Sequence, residues 1–159
     1  MRNDGTAWCW GANGKGQLGD GSEENSSVPV QVAGLFEVTQ ISCGNQYTCA
    51  VAAGSGYCWG LNGFGQIGDN SVQNRDTPVE VLVNAMFISS GDVHTCGLDV
   101  SNNAFCWGDN SAGQLGIGSS GDPELTPQAV YGAFAGLDMG VGGVHSCAIE
   151  QNEEKINCW

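Results

Sequence analysis

Apolar and β-branched residues occur along this chain in short runs, and the runs are bounded by glycine, asparagine or serine. FEVTQIS (36–42) and YTCAV (47–51) are two such runs, and GYCWG (56–60) and PVEVLV (78–83) continue the series. Short runs of β-branched and aromatic residues between turn residues predict β-strands. No stretch has the sustained period of an amphipathic helix. The pattern therefore predicts an all-β fold.

The same order of features recurs along the chain. Cys-Trp begins at Cys9, Cys58, Cys106 and Cys158, at intervals of 49, 48 and 52 residues. The first three copies continue into GANGKGQLGDG, GLNGFGQIGDN or GDNSAGQLGIG, and then into a segment that contains proline. About four short strands in every ~50 residues are typical of one β-propeller blade. The 26 glycines of the chain fit the turns that such blades need.

The repeat divides the chain into blades of four antiparallel strands. We expect complete blades at 36–83 and 84–131, with an incomplete first blade at 1–35 and an incomplete last blade at 132–159. Both ends cut through a repeat, so the sequence predicts about three repeats of a longer propeller. A G-x-N-x-x-G motif follows each of the first three Cys-Trp strands but opens no helix, which argues against a nucleotide-binding loop.

Six of the eight cysteines fall into three pairs with eight, nine and ten intervening residues. Hairpin loops of two, three and four residues would place the members of each pair directly opposite one another. Cross-strand disulfides are the favoured interpretation, against buried free thiols or a metal site, because the short C-x-x-C spacing of zinc and redox sites is absent. Disulfides imply an extracellular, periplasmic or cell-surface location. The predicted pairs are Cys49–Cys58, Cys96–Cys106 and Cys147–Cys158.

Two cysteines remain outside these pairs. The strand that would carry a partner for Cys9 should lie just before Met1 and is absent from the sequence. Cys43 occupies the position held by Ser90 and Val141 in the other repeats, which predicts a buried small residue. A bridge between Cys9 and Cys43 stays open as a weaker alternative.

The charge narrows the range of partners. The formal net charge is −13, and four residues (Arg2, Lys15, Arg75 and Lys155) are the fixed cations. Four scattered cations cannot replace the counterions of a nucleic acid or bind an acidic membrane surface. No apolar run approaches the ~18 residues of a membrane span. We therefore expect no nucleic acid and no membrane insertion; the acidity favours solubility or a basic partner.

The motifs WGANGKGQLGDG, the Pro-Val strand and ISSGDVHTCGL resemble the regulator of chromosome condensation repeat family. The resemblance covers nearly the whole chain and implies a β-propeller, which has seven blades in the best-known members. The form HTC…CWG resembles cysteine-bearing members found in secreted bacterial proteins and plant receptor-kinase ectodomains. Exchange-factor members act on a small GTPase through family-specific loops, and no inserted wedge of that kind is visible here.

Residues that recur at one position in every repeat are expected to be structural. The tryptophans should pack between blades, the glycines should end the Trp strand, and the histidines should stabilise turns; position 47 holds Tyr where its siblings hold His. No catalytic, cofactor-binding or metal-binding residues are predicted, and no cofactor. The structural residues are Trp10, Trp59, Trp107 and Trp159; Gly11, Gly60 and Gly108; and His94 and His145.

Acidic and amide residues near the glycine-rich loops are candidate calcium ligands. No D-x-D-x-D-G run appears, so a solvated loop is favoured. Three glutamates at a hairpin tip indicate a charged turn in the same way. These residues are Asp20, Asp69, Asn70, Asp109 and Asn110 in the loops, and Glu150, Glu153 and Glu154 at the tip.

The sequence thus predicts a non-catalytic binding scaffold of a secreted or cell-surface propeller protein. Variation is concentrated in the segments Ser22–Ser27, Gln73–Asp76 and Ser119–Leu125, and loops on a constant scaffold are a common place for recognition. The expected partner is a protein or a glycan. Two alternatives remain: an enzyme or metal-dependent lectin whose active residues lie in missing repeats, and an intracellular small-GTPase exchange factor.

Overall fold

A computed structural model describes residues 5–132, 136–150 and 155–159 of the chain. These residues form thirteen strands and no helix, and the strands make four antiparallel sheets that follow one another along the chain. No helix that could cross a membrane occurs in these three ranges. The all-β prediction is confirmed.

Two of the sheets have four strands each, in simple up-and-down order. The first comprises β3 (Val38–Cys43), β4 (Tyr47–Ala52), β5 (Ser55–Gly60) and β6 (Arg75–Leu82). The second comprises β7 (Ala85–Ser90), β8 (His94–Asp99), β9 (Ala104–Asn110) and β10 (Gly121–Ala129). In each sheet the strand that carries Cys-Trp is the third.

The two remaining sheets hold fewer strands. At the start of the chain, β1 (Trp8–Gly11) pairs with β2 (Ser26–Gln31). At the end, β11 (Gly136–Val141), β12 (Ser146–Glu150) and β13 (Ile156–Cys158) form a three-stranded sheet. By position in the repeat, β1 and β2 correspond to the third and fourth strands of a blade, and β11–β13 correspond to the first three.

The hydrophobic core lies between successive sheets. Trp59 of β5 shares a buried cluster with Ala50 of its own sheet and with Val32 and Leu35, which lie in the link that follows β2. Trp107 of the next sheet belongs to a cluster with residues of the sheet before it. Each blade therefore buries apolar side chains against its neighbour, as expected for stacked repeats.

The predicted disulfides are present, and their register explains the variable spacing. Each pair of cysteines faces directly across the second and third strands of its sheet, with the Cα atoms 4.1 Å apart in all three pairs. Only the hairpin tip changes in length: Ala53 and Gly54 form the first tip, whereas Asp99 N donates to Asn103 O across the second. The bridged pairs are Cys49–Cys58, Cys96–Cys106 and Cys147–Cys158.

We expect the double substitution Cys96→Ser with Cys106→Ser to lower the free energy of unfolding by about 2.5–3 kcal/mol. The bridge closes a loop of sequence separation 10, and the chain-entropy model gives about this amount for such a loop. Urea unfolding followed by tryptophan fluorescence measures the change. Cys43→Ser is the matched control, because Cys43 is exposed and unbridged. A loss below about 1 kcal/mol for the double variant would show that the bridge is not a stabilising staple.

Antiparallel strands place alternate connections at opposite ends of a blade. The turn between the first and second strands and the glycine-rich loop between the third and fourth strands therefore lie at one end. The second-to-third turn and the link to the next blade lie at the other end. We call the first end the loop face; Ser22–Ser27, Gln73–Asp76 and Ser119–Leu125 begin in its glycine-rich loops and run into the first residues of the strands that follow.

Candidate functional site

Each glycine-rich loop on the loop face is built around a buried asparagine. Asn13, Asn62 and Asn110 are at most 2% exposed. In each loop the asparagine Oδ1 accepts a hydrogen bond from the backbone N–H five residues later, at 2.9, 3.0 and 3.2 Å respectively. The asparagine side chain thus supplies the hydrogen-bond acceptor that water would otherwise provide to this buried backbone N–H. The asparagine recurs in all three sequence copies, so this role was detectable but was missed.

The loops also join one blade to the next through a backbone carbonyl. The carbonyl of Gln66 accepts hydrogen bonds from Thr95 Oγ1 at 2.8 Å and from the Trp107 indole at 3.0 Å. The preceding repeat makes the same joint with the same residue types, at 2.9 and 3.0 Å. Its members are Gln17, Thr48 and Trp59. Every residue has a backbone carbonyl, so the amino-acid sequence does not show which carbonyls accept these hydrogen bonds.

The repeated tryptophans occupy two different environments. Trp59 and Trp107 are fully buried in the joints, and Trp159 lies over Gly116 of the preceding loop. Trp10 differs, because 64% of its surface is exposed. The loop that each later tryptophan contacts belongs to the preceding repeat, and the 159 residues hold no such loop before Trp10. Within the described residues, Trp10 therefore has no contact of this kind.

Two of the three glycines that follow the tryptophans lie where a strand passes close to a turn. Gly11, Gly60 and Gly108 all have φ between +100° and +115°. At Gly60 a Cβ would lie 2.6 Å from Tyr47 Cα and from the Gln46 carbonyl. Gly60 and Gly108 therefore allow the third strand to approach the turn between the first two strands, whereas a Cβ at Gly11 would have no atom within 4 Å.

Positions 47, 94 and 145 lie at one place in successive blades. The Tyr47 hydroxyl donates to the His94 carbonyl at 2.7 Å, and His94 Nε2 lies 2.9 Å from Ser146 Oγ. Each of these side chains thus reaches the following blade. His145 is exposed. The backbone carbonyls of His94 and His145 each accept a hydrogen bond within their own turn. The ring of His94, in contrast, connects its blade to the next one.

His94 and Ser146 have no geometry for nucleophilic catalysis. The Ser146 hydroxyl donates to the Gln114 carbonyl at 2.8 Å, so His94 Nε2 must carry a proton and donate to Ser146. A general base would instead have to accept the serine proton. Both side chains are also fully buried. The hydrogen bond between His94 and Ser146 therefore has a structural role, because it connects two neighbouring blades.

Protonation of His94 should destabilise the fold. Burial is the main reason why the pKa of His94 falls to about 4, from an ordinary value of 6.5. Its Nδ1 has no hydrogen-bond partner among the described residues, so a second proton would place an unpaired charge in the core. Above pH 6.5 the ring is neutral in both states and stability is complete. Between pH 6.5 and 4 the unfolded chain binds the proton and the folded chain does not, so stability falls as pH falls.

We expect this difference in proton binding between the folded and unfolded chains to lower the free energy of unfolding by about 3 kcal/mol between pH 7 and pH 4. Urea unfolding at several pH values measures it, as the slope of stability against pH in the wild type minus the slope in His94→Gln. His145→Gln is the control, since that ring is exposed. If His94→Gln and His145→Gln show the same slope, the buried neutral imidazole is not responsible.

The acidic residues of the glycine-rich loops are used within the loops. Asp69 accepts from Ser71 and from Arg75, whose guanidinium forms an ion pair with it at 2.6 Å. Partial burial alone would raise the pKa of Asp69, but the hydrogen bonds from Ser71 and Arg75 outweigh it and lower the pKa. In ranges 5–132, 136–150 and 155–159 no group of three potential metal ligands comes together. Glu150 accepts from Asn157, whereas Glu153 and Glu154 lie outside the described residues.

The three variable segments lie side by side on the loop face. Gly21 N, next to the first segment, donates to Asp76 O of the second at 3.0 Å. Asn70 N, just before the second segment, donates to Leu125 O of the third at 2.9 Å. Neighbouring repeats therefore form one continuous surface across three blades.

The exposed charges of this surface are mainly negative. Each variable segment presents an exposed carboxylate, and the nearby cations are Lys15 and the paired Arg75. Structural asparagines anchor the first two segments: Asn25 Oδ1 accepts from Asn13 N at 2.7 Å, and its counterpart in the next loop does so at 3.0 Å. The carboxylates are Glu23, Glu24, Asp76 and Asp122, together with the half-buried Glu124.

A separate cavity of about 580 Å³ lies between β1 and β3. Cys9 and Cys43 both line it and are unbridged, so the alternative of a Cys9–Cys43 bond is not realised. The expectation that Cys43 would be a buried small residue is wrong: it is exposed. Cys43 ends β3 on the side that faces this open cavity, where no further strand of the described chain covers it.

A family model described as regulator of chromosome condensation (RCC1) repeat matches residues 4–51, 53–98 and 101–149. A second RCC1 repeat model matches residues 87–114. The matches cover most of the chain and follow the repeat seen in the strands.

Solved structures of similar fold include human WBSCR16, with a TM-score of 0.81 and 24% identity over 96% of this chain. Yeast RCC1 (Prp20) in complex with Kap60 gives a TM-score of 0.80 and 22% identity over 98%. Prp20p from Saccharomyces cerevisiae gives 0.81 and 18% over 97%. The chain spans 42%, 39% and 42% of those chains, so the likeness concerns part of a propeller.

Proposed function

The chain belongs to the regulator of chromosome condensation (RCC1) repeat family, and from that premise we propose that it is a protein-binding scaffold that recognises a basic protein surface through its loop face. The observation that carries the proposal is the row of three variable segments, joined by backbone hydrogen bonds and lined with exposed carboxylates. Complementary charge steers association and selects partners.

Similar structures support a protein partner. Prp20p was described with its binding properties to Gsp1p and histones, and yeast RCC1 (Prp20) was solved bound to Kap60. The buried, mutually satisfied His94 and Ser146 give no support to catalysis by that pair. A binding role therefore fits the described residues better than an enzymatic role.

We propose that the protein works in an oxidising compartment, which is extracellular, periplasmic or at the cell surface. Three cross-strand disulfides support this location, because thiols are kept reduced in the cytosol. The same disulfides count against an intracellular GTPase exchange factor, although the propeller fold is compatible with one.

Neutralising one carboxylate in each variable segment tests the proposal. The variant Glu23→Gln, Asp76→Asn, Asp122→Asn removes three exposed charges from the loop face. The matched control, Glu37→Gln, Glu80→Gln, Asp138→Asn, removes three exposed charges elsewhere. Core histones serve as the basic probe, and biolayer interferometry gives the dissociation constant.

We expect the loop variant to bind about ten-fold more weakly and the control to bind like the wild type, because each exposed charge pair contributes up to about 1 kcal/mol. Wild-type binding should also weaken between 50 and 200 mM salt, roughly as Debye screening predicts. Equal losses in both variants would indicate a net-charge effect without a site. Wild-type protein that binds no histone would contradict recognition of basic surfaces.

A further inference from the structure

The three glycine-rich loops share one backbone arrangement at their apex. In the middle loop, Gly65 N donates to Asn62 O and Gly68 N donates to Gly65 O, both at 3.0 Å. The backbone N–H of Phe64 donates to Oε1 of the buried Gln66 at 2.9 Å. The first and third loops make the same three hydrogen bonds, at 2.8 to 3.1 Å. The fold therefore fixes the backbone position of the apex residue, whatever its side chain.

A second position in each loop is held in the same way. The Nδ2 group of Asn62 donates to the carbonyls of Ser71 and Gln73, both at 3.0 Å. Val72 lies between these two residues. In the first and third loops the asparagine also donates to the carbonyl just before the corresponding position, at 3.0 and 3.1 Å. The corresponding residues are Glu23 and Ser120.

The side chains at these two positions differ from loop to loop. The first loop has a lysine and a glutamate there, and the third has an alanine and a serine. The middle loop has Phe64 and Val72, which are 46% and 55% exposed. We call these two residues the apolar pair. Because hydrogen bonds already order the backbone at both positions, a partner that covers the apolar pair would lose little further freedom there.

The middle loop has a neighbouring repeat on each side. A Cβ at Gly65, next to Phe64, would lie 3.2 Å from Leu125 Cα of the following blade. On the other side, Gly21 N of the first loop donates to Asp76 O at 3.0 Å. The exposure of the apolar pair is therefore that of an internal repeat with both of its neighbours in place.

Carboxylates flank the apolar pair on both sides. Glu23 and Glu24 are exposed on the side of the first loop, and Asp122 is exposed on the side of the third. A protein interface typically has an apolar centre inside a polar rim, and a few well-placed aromatic residues contribute most of the binding energy. An acidic rim selects a partner with basic residues around its own apolar contact.

We propose that the apolar pair is an anchor of the loop face, which binds an apolar side chain flanked by lysine or arginine residues on a basic protein. The proposal rests on the proposed function, because it names what the same surface recognises in addition to charge. The carboxylates would attract the partner, and the apolar pair would select the segment that stays bound.

Two synthetic peptides test the proposal on the full chain. One has a leucine between two runs of lysine and arginine, and the other has a serine in place of that leucine. Both peptides carry the same charge, so the ratio of their dissociation constants reports the apolar contact alone. Biolayer interferometry at 50 and 200 mM salt gives the ratio at both salt concentrations.

We expect the wild type to bind the leucine peptide about five- to ten-fold more tightly than the serine peptide, because binding removes apolar surface from water. The ratio should be the same at both salt concentrations, since screening weakens both peptides equally. The variant Phe64→Ala with Val72→Ala should reduce the ratio to below about two-fold. The carboxylate variant of the previous subsection should weaken both peptides and keep the ratio.

Phe36→Ala with Val83→Ala is the matched control. Both residues are 66% exposed, and they lie in the links between blades at the end opposite the loop face. This control should keep the wild-type ratio, and circular dichroism checks that both double variants are folded.

Equal binding of the two peptides by the wild type would overturn the proposal and leave recognition of basic segments intact. A ratio that survives Phe64→Ala with Val72→Ala, or that is lost equally in the control, would also overturn it. A wild type that binds neither peptide would contradict both this proposal and the proposed function.

Discussion

Replacing Trp107 with alanine should lower the free energy of unfolding by about 3–5 kcal/mol, whereas Trp10→Ala should change it by less than about 0.5 kcal/mol. Both residues hold the same place in the Cys-Trp-Gly motif, but Trp107 is fully buried between blades and Trp10 is 64% exposed. Truncation of a buried tryptophan leaves a large cavity, which carries the greater cost. Urea unfolding followed by far-ultraviolet circular dichroism measures both variants.

Trp107→Phe separates packing from hydrogen bonding at this joint. The phenyl ring keeps most of the apolar contact but cannot donate to the Gln66 carbonyl, which the indole reaches at 3.0 Å. Trp107→Phe should therefore lower the free energy of unfolding by about 1–3 kcal/mol, which is less than the effect of Trp107→Ala. Similar stabilities for Trp107→Ala and Trp10→Ala would mean that the joint does not hold the blades together.

Gly68→Ala should lower the free energy of unfolding by about 2–5 kcal/mol. Gly68 has φ +89°, and an alanine Cβ there would lie 2.6 Å from the Trp107 indole nitrogen. The left-handed backbone costs an L-residue about 1–2 kcal/mol, and overpacking against the buried ring adds about 1–3 kcal/mol. The ring cannot move away easily, since the Gln66 carbonyl and the neighbouring blade hold it.

Gly63→Ala is the matched control from the same loop. A Cβ at Gly63 would have no atom within 4 Å, and its φ is not in the left-handed region. Its stability should stay within about 1 kcal/mol of the wild type. If the two glycine variants were equally stable, the contact between loop and tryptophan would have no energetic weight.

The fold could be predicted because the same pattern of strands, turns and cysteines recurs several times along the chain. The spacing between Cys96 and Cys106 by itself allowed several interpretations, but three spacings that differed by one residue indicated hairpins of different tip length. Strand pairing is a local property of such hairpins, so it follows from sequence. The glycine-rich loops were equally visible, and the role of Asn62 in them could have been found from its recurrence.

Which copies of a repeat position take part in contacts between blades could not be predicted in the same way. His94 and His145 occupy one repeat position, yet His94 is buried and His145 is exposed. The difference arises from whether a following blade provides a residue such as Ser146, and that depends on the arrangement in space. The expectation that Cys43 is buried came from its repeat position alone. The repeat position does not show whether another strand covers Cys43 in the folded chain, and Cys43 is exposed.

Replacement of the three variable segments together measures most directly whether the loop face is the binding site. Exposed residues of Ser22–Ser27, Gln73–Asp76 and Ser119–Leu125 are replaced by glycine and serine, while Asn25 and Asn74 are kept because they hold the loops. Circular dichroism and unfolding confirm that the blades persist, and the dissociation constant for core histones is then measured. We expect binding to be lost. Binding that survives all three replacements would contradict the assignment of the binding site to the loop face and would move the interaction to the strand edges or the opposite face.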